Sequence, residues 1–280
     1  MKGILHLLII FSVFGCQNTT KSTEVDNTET IVIKEVVPAL QQILDSANVK
    51  GSILIYDPTN TIYYSNDFER ANTAYLPAST FKIPNSIVAL ELGNADDENT
   101  ILKWDGIKRK SVNWNQDLSL ADAFKYSCVP CYQELARKAG INNMKHQLAK
   151  IGYPGMVFDS SSIDLFWLQG ESRISQMEQI GFLEKLRNKT LPLKPTTYSA
   201  MKEIMLFDKT DELTVYAKTG MAIRDTTSYG WFVGYAEKGG HTYYFATNIA
   251  PGEGMDLWGE FVLARIDVTL EALKSPGLIR

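Results

Sequence analysis

Ser79 and Lys82 stand three residues apart in the run Pro77-Ala78-Ser79-Thr80-Phe81-Lys82. At the start of a helix that spacing puts a hydroxyl and an amine on one face, within reach of each other. A serine hydroxyl is a poor nucleophile until a base takes its proton, and a lysine whose charge has been removed by desolvation can be that base. The pair reads as nucleophile plus base, although an S-x-x-K tetrad alone also fits a capped surface helix. Two further motifs weigh against the plainer reading. Ser127-Cys128-Val129 brings a second serine 48 residues after Ser79, and Lys218-Thr219-Gly220 brings a second lysine at the end of an apolar run. In this order the spacing supports a serine acyl-transfer enzyme.

The elements that must position these groups are legible in outline. Gly51 to Tyr56 is apolar and β-rich, ends at Asp57-Pro58-Thr59-Asn60, and resumes from Thr61 to Ser65, predicting a hairpin ahead of Ser79. A helix is predicted from Ser79, carrying Ile83, Ile87, Leu90 and Leu92 inward, with Pro84 tolerated in its first turns. Ser119–Gly140, which contains Ser127, reads as helix, as do Met144–Ile151, Ser175–Asn188 and Thr196–Phe207. Leu213–Thr219, Tyr229–Glu237, a Lys238-Gly239-Gly240 turn and His241–Ile249 predict an antiparallel meander, closed by a helix over Trp258–Leu273. Strands near both ends with helices between them predict one sheet built from distant segments and a helical lobe built from the middle.

Composition bounds the rest. The 280 residues are 45% hydrophobic and 21% charged, enough for a sizeable core, and 28 Lys+Arg against 32 Asp+Glu leave a net charge of −4. That balance argues against nucleic acid as a partner. Lys2 precedes the apolar run Ile4–Phe14, too short for a stable membrane span and suited to the core of a secretion signal over residues 1–15. Val13-Phe14-Gly15-Cys16 is similar to the lipobox of bacterial lipoproteins, which implies lipidation of Cys16 and contact with a membrane through that anchor only. Residues 16–30 are polar and read as a flexible tether, leaving 31–280 as the globular domain. Cys128 and Cys131 lack a second cysteine pair, and His146 and His241 are not at ligand spacing, so no metal is expected. If both cysteines are helical, their spacing exceeds what a disulfide tolerates, and two buried free thiols are expected.

The three motifs together resemble the class D, or oxacillinase-type, serine β-lactamases, and the resemblance covers nearly the whole chain after Cys16. Lys103-Trp104-Asp105-Gly106, Tyr132-Gln133-Glu134-Leu135-Ala136-Arg137, Phe166-Trp167-Leu168-Gln169-Gly170 and Gly230-Trp231-Phe232-Val233-Gly234 are similar to that family's wording. The resemblance implies an α+β fold of the serine β-lactamase/transpeptidase type, with a central antiparallel sheet flanked by helices and a mostly helical lobe. It also implies hydrolysis of β-lactams by acylation of Ser79. Lys82 would react with CO2 to form an N-carboxylated general base, in surroundings made by Phe81, Val129, Trp167 and Leu168; no other cofactor is implied. Ser127 would relay a proton to the leaving nitrogen. Lys218, Thr219, Gly220 and Arg265 would receive the substrate carboxylate, and the backbone N–H groups of Ser79 and Met221 would form the oxyanion hole.

One departure is Tyr153-Pro154-Gly155, where the family usually carries Tyr-Gly-Asn. Cys128 and Cys131 also stand where the family more often has apolar residues. The same motifs occur in penicillin-binding transpeptidases and in β-lactam sensor domains, so acylation with slow release is the alternative outcome. Glu171 is the alternative candidate for the deacylating base.

Overall fold

Strands that alternate between two apolar layers make the centre of the molecule. The computed structural model describes residues 32–223 and 228–275. The expected signal segment 1–15, Cys16 and the tether 16–30 lie outside the described residues, as do residues 224–227 of the loop that follows Met221. In chain order the strands are β1 (Ile33–Val36), β2 (Val49–Asp57), β3 (Ile62–Ser65), a short ribbon of β4 (Ile101–Leu102) and β5 (Leu118–Ser119), then β6 (Leu206–Lys209), β7 (Thr214–Ala222), β8 (Tyr229–Lys238) and β9 (His241–Pro251). Seven of them form one sheet in the order β1-β3-β2-β9-β8-β7-β6. The pair β1 and β3 is parallel and the other neighbours are antiparallel, so the sheet is mixed at one edge.

The helices are α1 (Pro38–Ser46), α2 (Phe68–Asn72), α3 (Lys82–Leu92), α4 (Leu120–Lys125), α5 (Val129–Lys150), α6 (Gln176–Arg187), α7 (Pro195–Met205) and α8 (Glu260–Lys274). Side chains one residue apart along a strand point to opposite faces. Ile53 and Ile55 of β2 and Phe232 and Ala236 of β8 therefore join a layer with Leu40 and Leu44 of α1 and Phe261 and Val268 of α8. Their neighbours Leu54, Tyr56, Trp231, Val233 and Tyr235 join the larger layer that contains the helical lobe. Both faces are covered, which is why the sequence shows continuous apolar runs here in place of a clean polar alternation. The predicted hairpin and meander are present as β2–β3 and β7–β8–β9.

The predicted Ser79 helix divides in two. Ala78–Phe81 is a 3₁₀ turn, and α3 starts at Lys82. Every residue from Lys82 to Leu90 is buried, while Leu92 is half-buried. A helix enclosed all round must satisfy its polar side chains internally. Asn85 Nδ2 accordingly donates to the Tyr132 carbonyl at 3.1 Å, and Ser86 Oγ and the Tyr132 hydroxyl share a hydrogen bond of 2.7 Å. These bonds fasten α3 to α5.

Several sequence expectations are corrected. Leu206 and Phe207, which the sequence reading had placed in a helix, belong to β6, and α8 begins at Glu260, after Trp258. The helix expected over Ser119–Gly140 breaks at Ser127. The Cys128 N–H donates to the Ala123 carbonyl at 2.8 Å and the Ser127 N–H to the Phe124 carbonyl at 3.1 Å. These paired bonds close α4 as a Schellman cap, with Ser127 at φ +54° in the left-handed position that glycine normally fills. Gly140, at φ +72°, kinks α5 before the segment from Met144.

The free-thiol expectation is also overturned, since Cys128 and Cys131 form a disulfide. The error lay in taking both cysteines as helical. Cys128 is the N-cap of α5, at φ −57° and ψ 102°, so its Cβ is not held in the helical direction and can turn toward Cys131, with the two Cα atoms 5.4 Å apart, inside the range a disulfide spans.

Candidate active site

Ser79 is held on a turn that the chain would not adopt unaided. Ala78 precedes it at φ +50°, a region that costs an alanine about 1–2 kcal/mol. Both flanks fix this geometry. Trp231 Nε1 of β8 donates to the Leu76 carbonyl at 3.0 Å, and the Tyr229 hydroxyl accepts from the Leu76 N–H at 2.9 Å. Thr80 Oγ1 donates to the Pro77 carbonyl at 2.7 Å and accepts from Gln179 Nε2 of α6 at 2.9 Å. Strand β7 runs so close to this turn that a Cβ on Gly220 would lie 3.1 Å from Thr80 Cγ2 and 3.2 Å from the Pro77 carbonyl oxygen. Glycine at position 220 lets the strand edge reach the serine.

Lys82 begins the next turn, and its Nζ donates to Ser79 Oγ at 3.0 Å. The side chain is completely buried, and desolvation alone lowers its pKa from 10.5 to about 7. A large share of the amine is therefore neutral near neutral pH. Phe81, adjacent in sequence and fully buried, stacks on Trp167 with ring centroids 5.3 Å apart and meets Phe166 edge-on at 4.7 Å. Trp167 is likewise fully buried, and its indole N–H finds no acceptor among the described residues. Leu168 is half-buried and packs on the same core.

Two more cations crowd the same region. Lys218 is buried in the middle of β7, where its Nζ donates to the Thr219 carbonyl at 3.0 Å and lies 5.4 Å from the Phe124 ring centroid. Burial first, then the charges of Lys82 and Arg265, hold its pKa well below the usual lysine range. Arg265 on α8 reaches across β7, with Nη1 donating to the Gly220 carbonyl at 2.6 Å and Nε to the Val262 carbonyl at 3.0 Å. Burial lowers its pKa to about 10. Among the described residues none of these three cations forms an ion pair with a carboxylate. Such a site favours an anionic ligand.

These groups border a cleft of about 510 Å³, lined by Ser79, Ser127, Val129, Thr219, Gly220, Met221 and Arg265 among the residues singled out from sequence. Trp114, Ile223, Trp258 and Val262 also line it, and the sequence reading missed all four. No motif announces them, because they come from a 3₁₀ turn, a loop and the start of α8. Trp258 is 74% exposed, unusual for so large an apolar side chain. Phe81, Lys82, Trp167, Leu168 and Lys218 lie behind the lining. Glu171 does not line the cleft; it is exposed and pairs with Arg173 at 3.6 Å. At the Tyr153-Pro154-Gly155 departure the turn is kept by Gly155 at φ +73°, tight against the Arg173 backbone, whose N–H donates to the Gly155 carbonyl at 2.9 Å. Tyr153 packs edge-on against Phe81 at 6.0 Å and Phe182 at 4.8 Å.

The lowered pKa of Lys82 has a consequence for stability. Between about pH 7 and 10.5 the unfolded chain binds a proton on this lysine that the folded chain lacks, so stability rises with pH across that window. Lys218 contributes in the same direction. In CO2-free buffer, Lys82→Met should raise the unfolding free energy near pH 7 by roughly 1 kcal/mol or more, with the gain shrinking as the pH climbs. Urea unfolding at several pH values checks this, and identical slopes for wild type and variant would contradict a neutral buried Lys82.

Residues 46–264 match the model for the penicillin-binding protein transpeptidase domain. The chain is 38% identical to β-lactamase OXA-48 of Klebsiella pneumoniae over 232 residues, which cover 82% of this chain and 84% of that one. Among solved structures it is similar to the class D β-lactamase YbXI from Nostoc, with a TM-score of 0.81 and 40% identity, covering 88% of this chain and 100% of that one. It is also similar to the C-terminal domain of the Bacillus licheniformis BlaR penicillin-receptor, with a TM-score of 0.79 and 25% identity over 89% of this chain and 98% of that one. With its S-x-x-K, S-x-V and K-T-G motifs on one cleft and relatives matched over four-fifths of its length, the chain belongs to the class D serine β-lactamases.

Proposed function

We propose that this protein hydrolyses β-lactams through an acyl-Ser79 intermediate, with Lys82 acting as an N-carboxylated general base, and so confers β-lactam resistance. The observation that carries the reading is the completely buried Lys82 amine, lowered to about pKa 7 and 3.0 Å from Ser79 Oγ. Ser79 Oγ attacks the lactam carbonyl as its proton passes to the base. The strained C–N bond breaks, and Ser127 hands a proton to the leaving nitrogen while taking up the one held by the base, which leaves the base free for the second half of the reaction. The backbone N–H groups of Ser79 and Met221 receive the oxyanion. Lys218, Thr219, Gly220 and Arg265 receive the ring carboxylate, which meets the need for an anion noted above. The base then takes a proton from water, which attacks the ester and frees Ser79.

A neutral amine reacts with CO2 at its nitrogen lone pair, loses a proton and becomes a carbamate, so depression of the lysine pKa is a precondition for the reaction. Burial supplies it. The carbamate adds a negative charge and acceptor oxygens to a region with two basic groups that have no carboxylate partner, Lys218 and Arg265, and an unsatisfied Trp167 indole N–H, which supports carboxylation in these surroundings. Glu171 is poorly placed as a competing base.

Similarity to a penicillin-receptor domain supports a second reading, in which Ser79 is acylated and deacylation is very slow. We favour the enzyme because the relatives that match at higher identity are named β-lactamases. Export, with Cys16 lipidated and 16–30 as a tether, completes the proposal. Among the described residues no helix is long and apolar enough to cross a membrane.

Intact-mass spectrometry with a penicillin should show one adduct on wild type and none on Ser79→Ala; an adduct that survives the substitution would reassign the nucleophile. The adduct should clear within seconds to minutes in an enzyme, whereas persistence for hours would favour the receptor reading. Stripping CO2 at mildly acidic pH should reduce turnover, and bicarbonate should restore it. Absence of both that response and a carbon-13 carbamate signal would remove the carboxylated base while leaving Ser79 in place. The N-terminal peptide from a membrane fraction should carry diacylglyceryl on Cys16; an unmodified peptide from a wholly soluble protein would refute the anchor.

A further inference from the structure

Ser127 is held in a backbone conformation that its residue type seldom adopts. It sits at φ +54° between the Schellman cap that ends α4 and the N-cap that starts α5, without the glycine such a position favours. A left-handed serine in an unconstrained turn tends to relax into an extended or helical conformation, and even a small displacement of its hydroxyl would misplace it. The residue that follows Ser127 is one end of the Cys128–Cys131 disulfide. Cys128 is fully buried, its Sγ accepts the Cys131 N–H at 3.3 Å, and Pro130 stiffens the first turn of α5 between them. On the other side, Trp114 Nε1 donates to the Tyr126 carbonyl at 2.9 Å. The turn carrying Ser127 is therefore clamped at Tyr126 and at Cys128.

The turn also divides two cavities. Ser127 and Val129 line the cleft that holds Ser79, whereas Pro130 and Cys131 line a second cavity of about 340 Å³, together with Trp104 and Glu134. Trp114 borders both. Cys131 is half-buried and borders the second cavity, which gives a reagent a route toward the disulfide outside the cleft.

We propose that the Cys128–Cys131 disulfide positions Ser127 for acylation and that a dithiol entering from the second cavity releases it. This rests on the reading of Ser127 as the proton relay. A thiolate of the dithiol attacks Cys131 Sγ, the S–S bond breaks, and Cys128 leaves as a thiolate that takes up a proton. The N-terminus of α5 stabilises that leaving group. The reagent's second thiol then displaces Cys131 as a thiol, so that the protein gains two electrons and two protons and the reagent becomes a cyclic disulfide. With the turn opened, Ser127 loses its fixed direction while Ser79 and Lys82, on a separate element, keep theirs. Cys128 and Cys131 are thus positioning residues for the acylation half of the reaction.

The test measures acylation and deacylation rates separately, by stopped flow and intact mass with one penicillin, on oxidised protein, on protein reduced with dithiothreitol, and on Cys128→Ser/Cys131→Ser. Acylation should fall about tenfold or more on reduction and in the double variant, with deacylation within about twofold, and reoxidation should restore the wild type alone. Thiol titration reports whether the bond opened, and the double variant supplies the open state if it resists reduction. If the variant fails to fold, reduced wild type with two titratable thiols supplies that state instead. Unchanged acylation in the open state, or equal loss of both steps, would overturn the proposal. A receptor-like protein that acylates and does not turn over still gives the acylation rates. If the oxidised protein forms no adduct at all, the proposed function falls with it.

Discussion

Burial of the Lys82 amine is the constraint on which the rest of the structure depends. Removing an ammonium from water costs several kcal/mol, so the group gives up its proton in preference to carrying its charge into the core. The fold buries this amine completely, with its Nζ 5.2 Å from the Tyr132 ring centroid, and encloses α3 so completely that Asn85 and Ser86 find partners on Tyr132. Only a helix buried on every side can present a neutral lysine to a serine that remains half-exposed in a cleft.

The same demand explains where the backbone departs from its easy conformations. Ala78 and Ser127 both take positive φ, one just before the nucleophile and the other within the S-x-V motif. Each is held by surrounding structure: Ala78 by hydrogen bonds from β8 and α6 to its flanking residues, Ser127 by two helix ends and a disulfide. Strain of this kind persists where neighbouring elements over-determine it, and it concentrates at functional sites. Gly220 is the complementary case, a residue whose missing side chain lets β7 approach the turn.

Electrostatically the cleft is unbalanced. Lys82, Lys218 and Arg265 all have lowered pKa values with burial as the leading cause, and their hydrogen bonds go to a hydroxyl and to backbone carbonyls. The neighbouring basic groups make the region receptive to anions in the ground state.

The motifs, the meander, the hairpin and the apolar run of α3 could all be read from the chain, because S-x-x-K spacing, period-two patterning and turn residues act over a few neighbours. Family wording extended that reading to Arg265 and Trp167. Among neighbour-range patterns Pro130, in the first turn of α5, was the one local mark of the break; that Ser127 ends α4 was not legible, because it depends on a serine in a glycine conformation. That break decided the state of Cys128 and Cys131, because the direction of the Cys128 Cβ depends on whether that residue is helical. Tertiary packing also brought Trp114, Ile223, Trp258 and Val262 to the cleft from segments far apart in sequence. The sequence determined which groups carry the chemistry; three-dimensional enclosure decided their charge states, their strained backbones and the walls around them, because desolvation and close approach exist only once distant elements have met.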